Sequence, residues 1–389
     1  MTMQSRTGAL AGLQVVDLSR VLGGPYCTQI LGDHGAEVLK VEPPSGDETR
    51  AWGPPFVEGS TAYFRGVNRN KRSLVLDLVT ARGRELLLGF LEGADVLIEN
   101  YKPGTLEKWG LGPDVLSDRF PRLVHCRVSG YGSNGPLGGM PGYDAAIQAM
   151  AGLMSVNGEP DGEPTRLGIP VVDMVTGLNA AIGILLALQE RQVSGRGQFV
   201  ETALYDCGLS ILHPHLPNLF ASGKTPSRTG NAHPNIAPYS SFPTGRGAIF
   251  LAVGNDGQFR KMCTFLGRPD LPDDLRFRDN AARLQHRSEL EAILRDLLAN
   301  YDATTLAEDL IKIGVPCGPV LTTAEAVTHP QTTAREMIVE MGSYKGIASP
   351  IKLSRTPATY RMPPPSLNEF GSATEVSAVA AKDHHMVKM

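Results

Sequence analysis

LQVVDLSRVLGGPYCTQILGDHGAEVLKVE, residues 13–42, holds in about thirty residues the pattern that decides the fold. An apolar LQVVDL (13–18) leads into a glycine-bearing turn, then a short helical segment through YCTQILGDHG, then AEVLKVE (36–42). Strand, helix and strand in that order make a βαβ unit. The alternation continues with SLVLDL (73–78), the helical TARGRELLLGFLEGA (80–94), DVLIEN (95–100) and LVHCRVSGYG (123–132). Short apolar strands separated by helices predict an α/β fold with a mostly parallel, doubly wound sheet.

Two long helical segments follow, near 143–155 and 174–192, then GQFVETALYD. The turn-rich SGKTPSRTGNAHPNIAP (222–238) reads as a linker. Beyond it AIFLAVG reads as a strand, and QFRKMCTFLG, RSELEAILRDLLANY and TLAEDLIKIG as amphipathic helices. The expected organisation is a large domain whose first part is 1–221, a linker at 222–240 and a small α+β domain at 241–325. Residues 326–389 then return over the large domain through SPIKLSRTPATYRMPPPS.

Composition narrows the function. Of 389 residues 42% are hydrophobic and 20% charged, with net charge −3, which fits neither a disordered chain nor a polyanion binder, so no nucleic acid partner is expected. MTMQSRTGALAG carries no apolar core of signal-peptide length, and AAIGILLAL is shorter than the roughly 20 residues that span a bilayer, so no membrane partner and a cytoplasmic location are expected. Cys27, Cys126, Cys207, Cys263 and Cys317 are widely spaced, with neither a disulfide framework nor a cysteine zinc site. His213 and His215 stand in HPHLP, where prolines break the element and no acidic cluster is near, so no metal is expected.

Several nucleotide and hydrolase signatures fail by a letter. RVLGGPYC lacks GxGxxG, although Glu42 stands about where a ribose-binding acid would. SGKT at 222–225 resembles the end of a phosphate loop, but Asn218 replaces its first glycine. RVSGYG has Arg127 where GxSxG needs glycine, so Ser129 is not a nucleophile elbow.

A longer set of ordered phrases remains: VDLSRVLGGPYCTQILGDHGAEVLKVEPPSGDETR (16–50), NRNKRSLVLDL (68–78), ADVLIENYKPGTLEKWGL (94–111), SGYGSNGP (129–136), PGYDAAIQAMAGLM (141–154), GIPVVDMVTG (168–177), SGRGQFVETAL (194–204) and IGVPCGPV (313–320). Together, over about residues 9–360, they resemble the class III CoA-transferase family of the CaiB/BaiF type, which includes formyl-CoA and carnitine CoA-transferases and α-methylacyl-CoA racemases. The resemblance implies an interlocked homodimer with a Rossmann-like, CoA-binding large domain built from both chain ends. It also implies no permanently bound cofactor, coenzyme A entering as the acyl-CoA substrate.

Within GIPVVDMVTG, Asp173 heads an otherwise apolar helical run, and its plain reading is a helix cap. In the transferases the matching aspartate is the nucleophile, and with a reference pKa near 3.9 an aspartate at pH 7 is expected to be an anion without a general base. The implied route passes through aspartyl mixed anhydrides and an aspartyl-CoA thioester, with backbone N–H groups around Gly23 and Gly24 as candidate oxyanion donors. Racemization, the alternative within the family, uses a histidine in a GHD phrase plus this aspartate. Here the phrase is GYD: Tyr143 replaces the histidine, and with a reference pKa near 10 it is a poor base, which favours transfer. A third alternative, of another class, is a noncatalytic CoA-binding protein that has kept the fold. Asp144 matches a supporting carboxylate in some transferases and reads equally as the cap of the helix that follows it.

By resemblance Leu22, Gly23, Leu76, Asn100, Tyr101, Lys102, Lys108 and Tyr143 line the CoA cleft, with Lys40, Arg50 and Arg72 as weaker candidates that also read as solvated surface charge. Leu22 stands where formyl-CoA transferases carry Gln, and no run of four glycines appears near 255, which argues against a formate and oxalate enzyme. His233, Asn235 and Tyr239 read either as acceptor contacts or as linker packing; a small carboxylic acid, dicarboxylic acids among them, is the expected acceptor class.

Overall fold

A computed structural model of the chain describes residues 7–371. Six strands among them form one parallel sheet: β1 (Gln14–Asp17), β2 (Glu37–Glu42), β3 (Lys71–Val75), β4 (Val96–Glu99), β5 (Val124–Ser129) and β6 (Phe199–Ala203). Their spatial order is β3-β2-β1-β4-β5-β6, with every pairing parallel. The order reverses between β1 and β4, so the turns leaving those two strands open on a common crevice at their carboxyl ends, where open α/β sheets bind ligands. SGRGQFVETAL thus completes the sheet, with Gly197 pressed so closely on the Leu123 backbone that an added Cβ would lie 2.1 Å from its carbonyl oxygen.

The first βα turn leads into α1 (Gly23–Asp33). Its underside is held by ions. Asp17, at the end of β1, accepts from Ser19 N–H at 2.9 Å and Thr28 Oγ1 at 2.5 Å and pairs with Lys71 at 3.2 Å, every partner fully buried. Burial pushes the Asp17 carboxyl up, and Lys71 and Lys40 more than reverse this, so it is held below the usual range. Lys40, also 0% exposed, donates to Ser19 O at 2.8 Å and Asp47 at 2.9 Å. Charges sealed from water persist only when paired this fully, since removing one partner costs about 3–5 kcal/mol.

Against α1 lies α5 (Val171–Ser194), reached after α2 (Ala62–Gly66), α3 (Ala81–Leu91) and α4 (Asp144–Met150). By length and composition α5 is apolar enough to cross a membrane, more than the run AAIGILLAL alone indicated. One face, with Val172, Thr176, Ala180, Ile184 and Ala187, is buried in the protein. Leu178, Ile182, Leu185 and Leu186 on the other face are exposed.

By compactness the chain forms two units: residues up to Leu153, Arg166–Pro217 and from Gln331 onward make the first, Met154–Thr165 and Asn218–Pro330 the second. Residues 154–165 thus leave the large domain in which the sequence reading kept them, and the 222–240 linker is an integral part of the second unit. The cause is long-range bonding: Gly230 N donates to Gly158 O at 3.0 Å, and Arg228 donates to Gly162 O at 2.6 Å. The second unit carries an antiparallel sheet, β7 (Tyr239–Pro243), β8 (Ala248–Ala252) and β9 (Cys317–Pro319), over a core that includes Phe242, Phe259, Leu294 and Leu306. In the first unit the C-terminal segment runs along α1 and β3: Asn70 Oδ1 accepts from Arg361 N–H and Met362 N–H at 2.7 and 3.1 Å, and Phe370 N–H donates to Ser73 O at 3.0 Å. Residues 372–389 of the expected return lie outside the described residues.

The α1–α5 crossing depends on glycine. A Cβ at Gly177 would lie 2.5 Å from Gly23 O and 3.1 Å from the Tyr26 ring. Alanine ordinarily favours a helix interior by up to about 1 kcal/mol over glycine. Gly177→Ala is nonetheless expected to destabilise the fold by about 1–3 kcal/mol, because the obstruction is backbone; urea denaturation checks this, and a stabilised variant would refute the tight crossing.

Candidate active site

The cavity at the sheet's carboxyl edge measures about 230 Å³ and is lined by the turn after β1 (Arg20 to Gly23), the turn after β4 (Asn100 to Pro103), the end of β5 with Ser129, the segment Met140–Tyr143, and Asp173. Asn100 ties the two turns together, its Oδ1 accepting Arg20 N–H at 2.9 Å and its Nδ2 donating to Arg20 O at 2.7 Å. Val21 adopts φ 69°, a conformation unfavourable for a β-branched residue. The buried Asp47 holds the turn there: its Oδ1 accepts Val21 N–H at 3.4 Å while its Oδ2 pairs with Lys40. Burial raises the Asp47 carboxyl, but Lys40 and the Thr49 N–H bring it down to about 2.

Asp173 is the third residue of α5 and half-buried. It does not act as the cap. Pro170 occupies that position with no side-chain bond, and the N–H groups of Val172 and Asp173 are both taken by Asp144 Oδ2, at 2.8 and 3.1 Å. Asp144 therefore caps α5 and not, as expected, the helix α4 that it begins, where Tyr143 holds the cap position without a side-chain bond. With its backbone served by another residue, the Asp173 carboxylate is among the described residues without a hydrogen-bond donor. An added Cβ on Gly23 would lie 3.2 Å from Asp173 O and 3.7 Å from its Oδ1, so the carboxylate and the open first turn of α1 share one wall.

This environment changes the expected charge. Burial first, then the neighbouring Asp144 charge, push the Asp173 carboxyl up to about 7. It therefore holds its proton to a higher pH than its reference value suggests. Tyr63, on α2, belongs to the same surroundings: burial and the carboxylates of Asp173, Asp144 and Asp47 raise its hydroxyl to about 12.

Of the residues assigned by resemblance, Leu22, Gly23, Asn100, Tyr101, Lys102 and Tyr143 meet at this cavity with Asp173. Leu76 does not: it is 3% exposed and packs in the sheet core with Leu74 and Leu78. Lys108 is exposed at the end of the short helix Thr105–Lys108, away from the lining. Gly24 packs on the Ser19 side chain, where an added Cβ would be 2.3 Å away. Lys40 and Arg50 are not solvated cations. Lys40 serves Asp47, and Arg50 donates to Glu42 at 2.7 and 2.8 Å and lies 3.7 Å over the Phe64 ring. Arg72 is exposed and stacks on Phe370. Glu42, at the ribose-acid position, is spent on Arg50, Ser73 and Asp47 N–H. In the second unit Asn235 bonds Asn218 and His233 lies 5.1 Å from the Tyr239 ring, contacts that pack their own segment.

Arg20 was missed by the sequence reading. Its guanidinium lies 5.6 Å from the Tyr101 ring, giving the cavity a second cation beside Lys102. A lone arginine at a strand end carries no motif; only its position at the switch point could have marked it.

Comparison with known proteins agrees over nearly the whole chain. The sequence profile described as CoA-transferase family III matches residues 10–370. The chain is 41% identical to a succinate–glutarate CoA-transferase of Agrobacterium fabrum over 94% of this chain and 95% of that protein. It is 39% identical to an acetyl-CoA:oxalate CoA-transferase of Acetobacter aceti over 96% and 97%. The crystal structure of a CaiB/BaiF family protein from Brucella suis superposes with TM-score 0.86 at 44% identity, covering 96% of this chain and 100% of that one.

The raised Asp173 pKa makes a linkage prediction. Between about pH 4 and 7 the folded chain retains a proton the unfolded chain has released, so this carboxyl lowers stability as pH rises. Asp173→Asn removes the penalty. Its stability relative to wild type is expected to be near zero below pH 4 and to grow to about 1–3 kcal/mol above pH 7, solvent at the half-buried group screening part of the effect; paired melts across that range test it.

Proposed function

The chain belongs to CoA-transferase family III, and on that premise we propose that it moves CoA from an acyl-CoA donor to a small carboxylic acid, with Asp173 as nucleophile. The observation that carries the reading is the exposed chemistry of Asp173: a carboxylate in the cavity wall, relieved of capping by Asp144 and facing the start of α1.

An Asp173 carboxylate oxygen attacks the acyl carbon of the donor, the C–S bond breaks, and CoA leaves as the thiolate while a mixed anhydride forms. The thiolate attacks the Asp173 acyl carbon and releases the donor acid, leaving CoA as a thioester on Asp173. The acceptor carboxylate attacks that carbon, giving a second anhydride and free thiolate. Attack of the thiolate on the acceptor's acyl carbon yields the new acyl-CoA and restores Asp173. Each tetrahedral intermediate places negative charge near Gly23, whose first-turn N–H has no partner within α1 and suits that oxyanion. Arg20 and Lys102 supply positive charge for the phosphates of CoA, and Asn100 fixes the turns that carry them.

Four- or five-carbon dicarboxylic acids are the acceptor class this reading favours, as the relatives named for succinate and glutarate support. The same reading makes the chain one half of a homodimer, for which the exposed Leu178, Ile182, Leu185 and Leu186 on α5 offer an apolar face. Tyr143, 59% exposed at the cavity rim, puts a phenol where racemization would use a histidine, which favours transfer.

Incubation with succinyl-CoA followed by borohydride reduction and peptide mass spectrometry is expected to locate the modification on the Asp173 peptide. Asp173→Ala should lose both the modification and CoA exchange while remaining folded; near-normal turnover in that variant would eliminate the mechanism. Because only the anion attacks, kcat/KM is expected to rise about tenfold per pH unit below about 7 and level off above it.

A further inference from the structure

Gln148 is completely buried on α4, one helical turn after Asp144, and no part of it reaches the cavity. Its amide is fixed by its partners. Leu167 N–H donates to Gln148 Oε1 at 2.8 Å, and a backbone N–H can only donate, so the amide nitrogen faces the other way. That nitrogen donates to Asp144 Oδ1 at 2.6 Å and, more weakly, to Ile169 O at 3.4 Å. Asp144 is left with Oδ2 for the N–H groups of Val172 and Asp173. One side chain thus grips the strand of backbone entering α5 at Leu167 and Ile169 and orients the carboxylate that grips it again at Val172 and Asp173.

We propose that Gln148 is a positioning residue for Asp173, acting through Asp144 and the 167–173 backbone to hold the nucleophile at the cavity wall. The inference rests on the transferase reading of Asp173. Its physical content is that neither partner can do the work alone. Asp144 without Gln148 keeps a buried Oδ1 that has lost this donor, and the side chain turns to seek another. Leu167 without Gln148 loses its acceptor and frees the approach to α5. Displacement of a reacting group by about 1 Å costs about a hundredfold in rate without any change in the groups that bind substrate. The CoA-facing turns at Arg20–Gly23 and Asn100–Pro103 make no bond to Gln148, so binding and turnover should separate.

Two substitutions distinguish this from packing. Gln148→Met keeps much of the volume but none of the bonds; Gln148→Glu keeps size, reach and the Leu167 N–H bond but sets an acceptor against Asp144 Oδ1 and Ile169 O. The assay is CoA exchange between succinyl-CoA and labelled succinate, with Asp173→Asn in parallel. Both Gln148 variants are expected to lose kcat by about ten- to a hundredfold with KM for succinyl-CoA within about threefold of wild type. A folded Gln148→Met variant with kcat within about twofold of wild type, or a kcat loss matched by an equal rise in KM, overturns the proposal. If Asp173→Asn itself retains exchange, the nucleophile reading has failed and this one falls with it; if Asp173→Asn is inactive while Gln148→Met is fully active, only the present inference fails. Wild-type protein supplies a test that needs no variant to fold. First-turn amides ordinarily exchange fast, so hydrogen exchange at Val172 and Asp173 should be slowed at least about tenfold relative to unbonded amides, and exchange at the unbonded rate would overturn the proposal.

Discussion

The close approach of α1 to α5, permitted by hydrogen in place of a side chain at Gly177 and Gly23, is the constraint from which the site follows. Helices usually pack with axes 8–10 Å apart, spaced by their side chains. Here the contact is backbone to backbone, and so the starts of two helices meet. One brings Asp173, the other the open N–H groups of its first turn. A larger residue at either glycine would separate the Asp173 carboxylate from the open N–H groups of the first turn of α1.

Two aspartates stand together at this junction with different tasks. Asp144 spends its carboxylate oxygens on backbone N–H groups and the Gln148 amide. Asp173 receives none of these and is half-buried beside that anion, which makes its own ionisation costly. Division of labour between paired carboxylates by environment alone is a recurrent feature of sites that run at neutral pH.

The buried ions beneath the site serve geometry. Asp17 with Lys71, and Asp47 with Lys40, fasten α1 and the strained turn at Val21 to the sheet without touching the cavity. Lys71 shows what this arrangement costs: burial lowers its pKa to about 8 even with Asp17 at hand. A hydrophobic replacement of equal volume could be as stable, yet it would not tie the Val21 turn by hydrogen bonds.

The doubly wound sheet was legible in residues 13–42 because a strand buried on both faces is apolar throughout and a crossover helix is amphipathic, properties that local sequence alone determines. The ordered phrases likewise sufficed for the family. What tertiary structure decided was the state and company of each charge. Lys40 and Arg50 look in sequence like cations available for phosphate, and Glu42 like an acid available for ribose; each is consumed by a partner that is near only after folding. The cap of α5 comes from Asp144, 28 and 29 residues before the N–H groups it serves, so no capping rule applied to the local letters could find it. Arg20, Tyr63 and Gln148 carry no motif for the same reason. A sequence states which groups can ionise or bond, whereas desolvation and partner distance, which set whether they do, exist only in the folded chain.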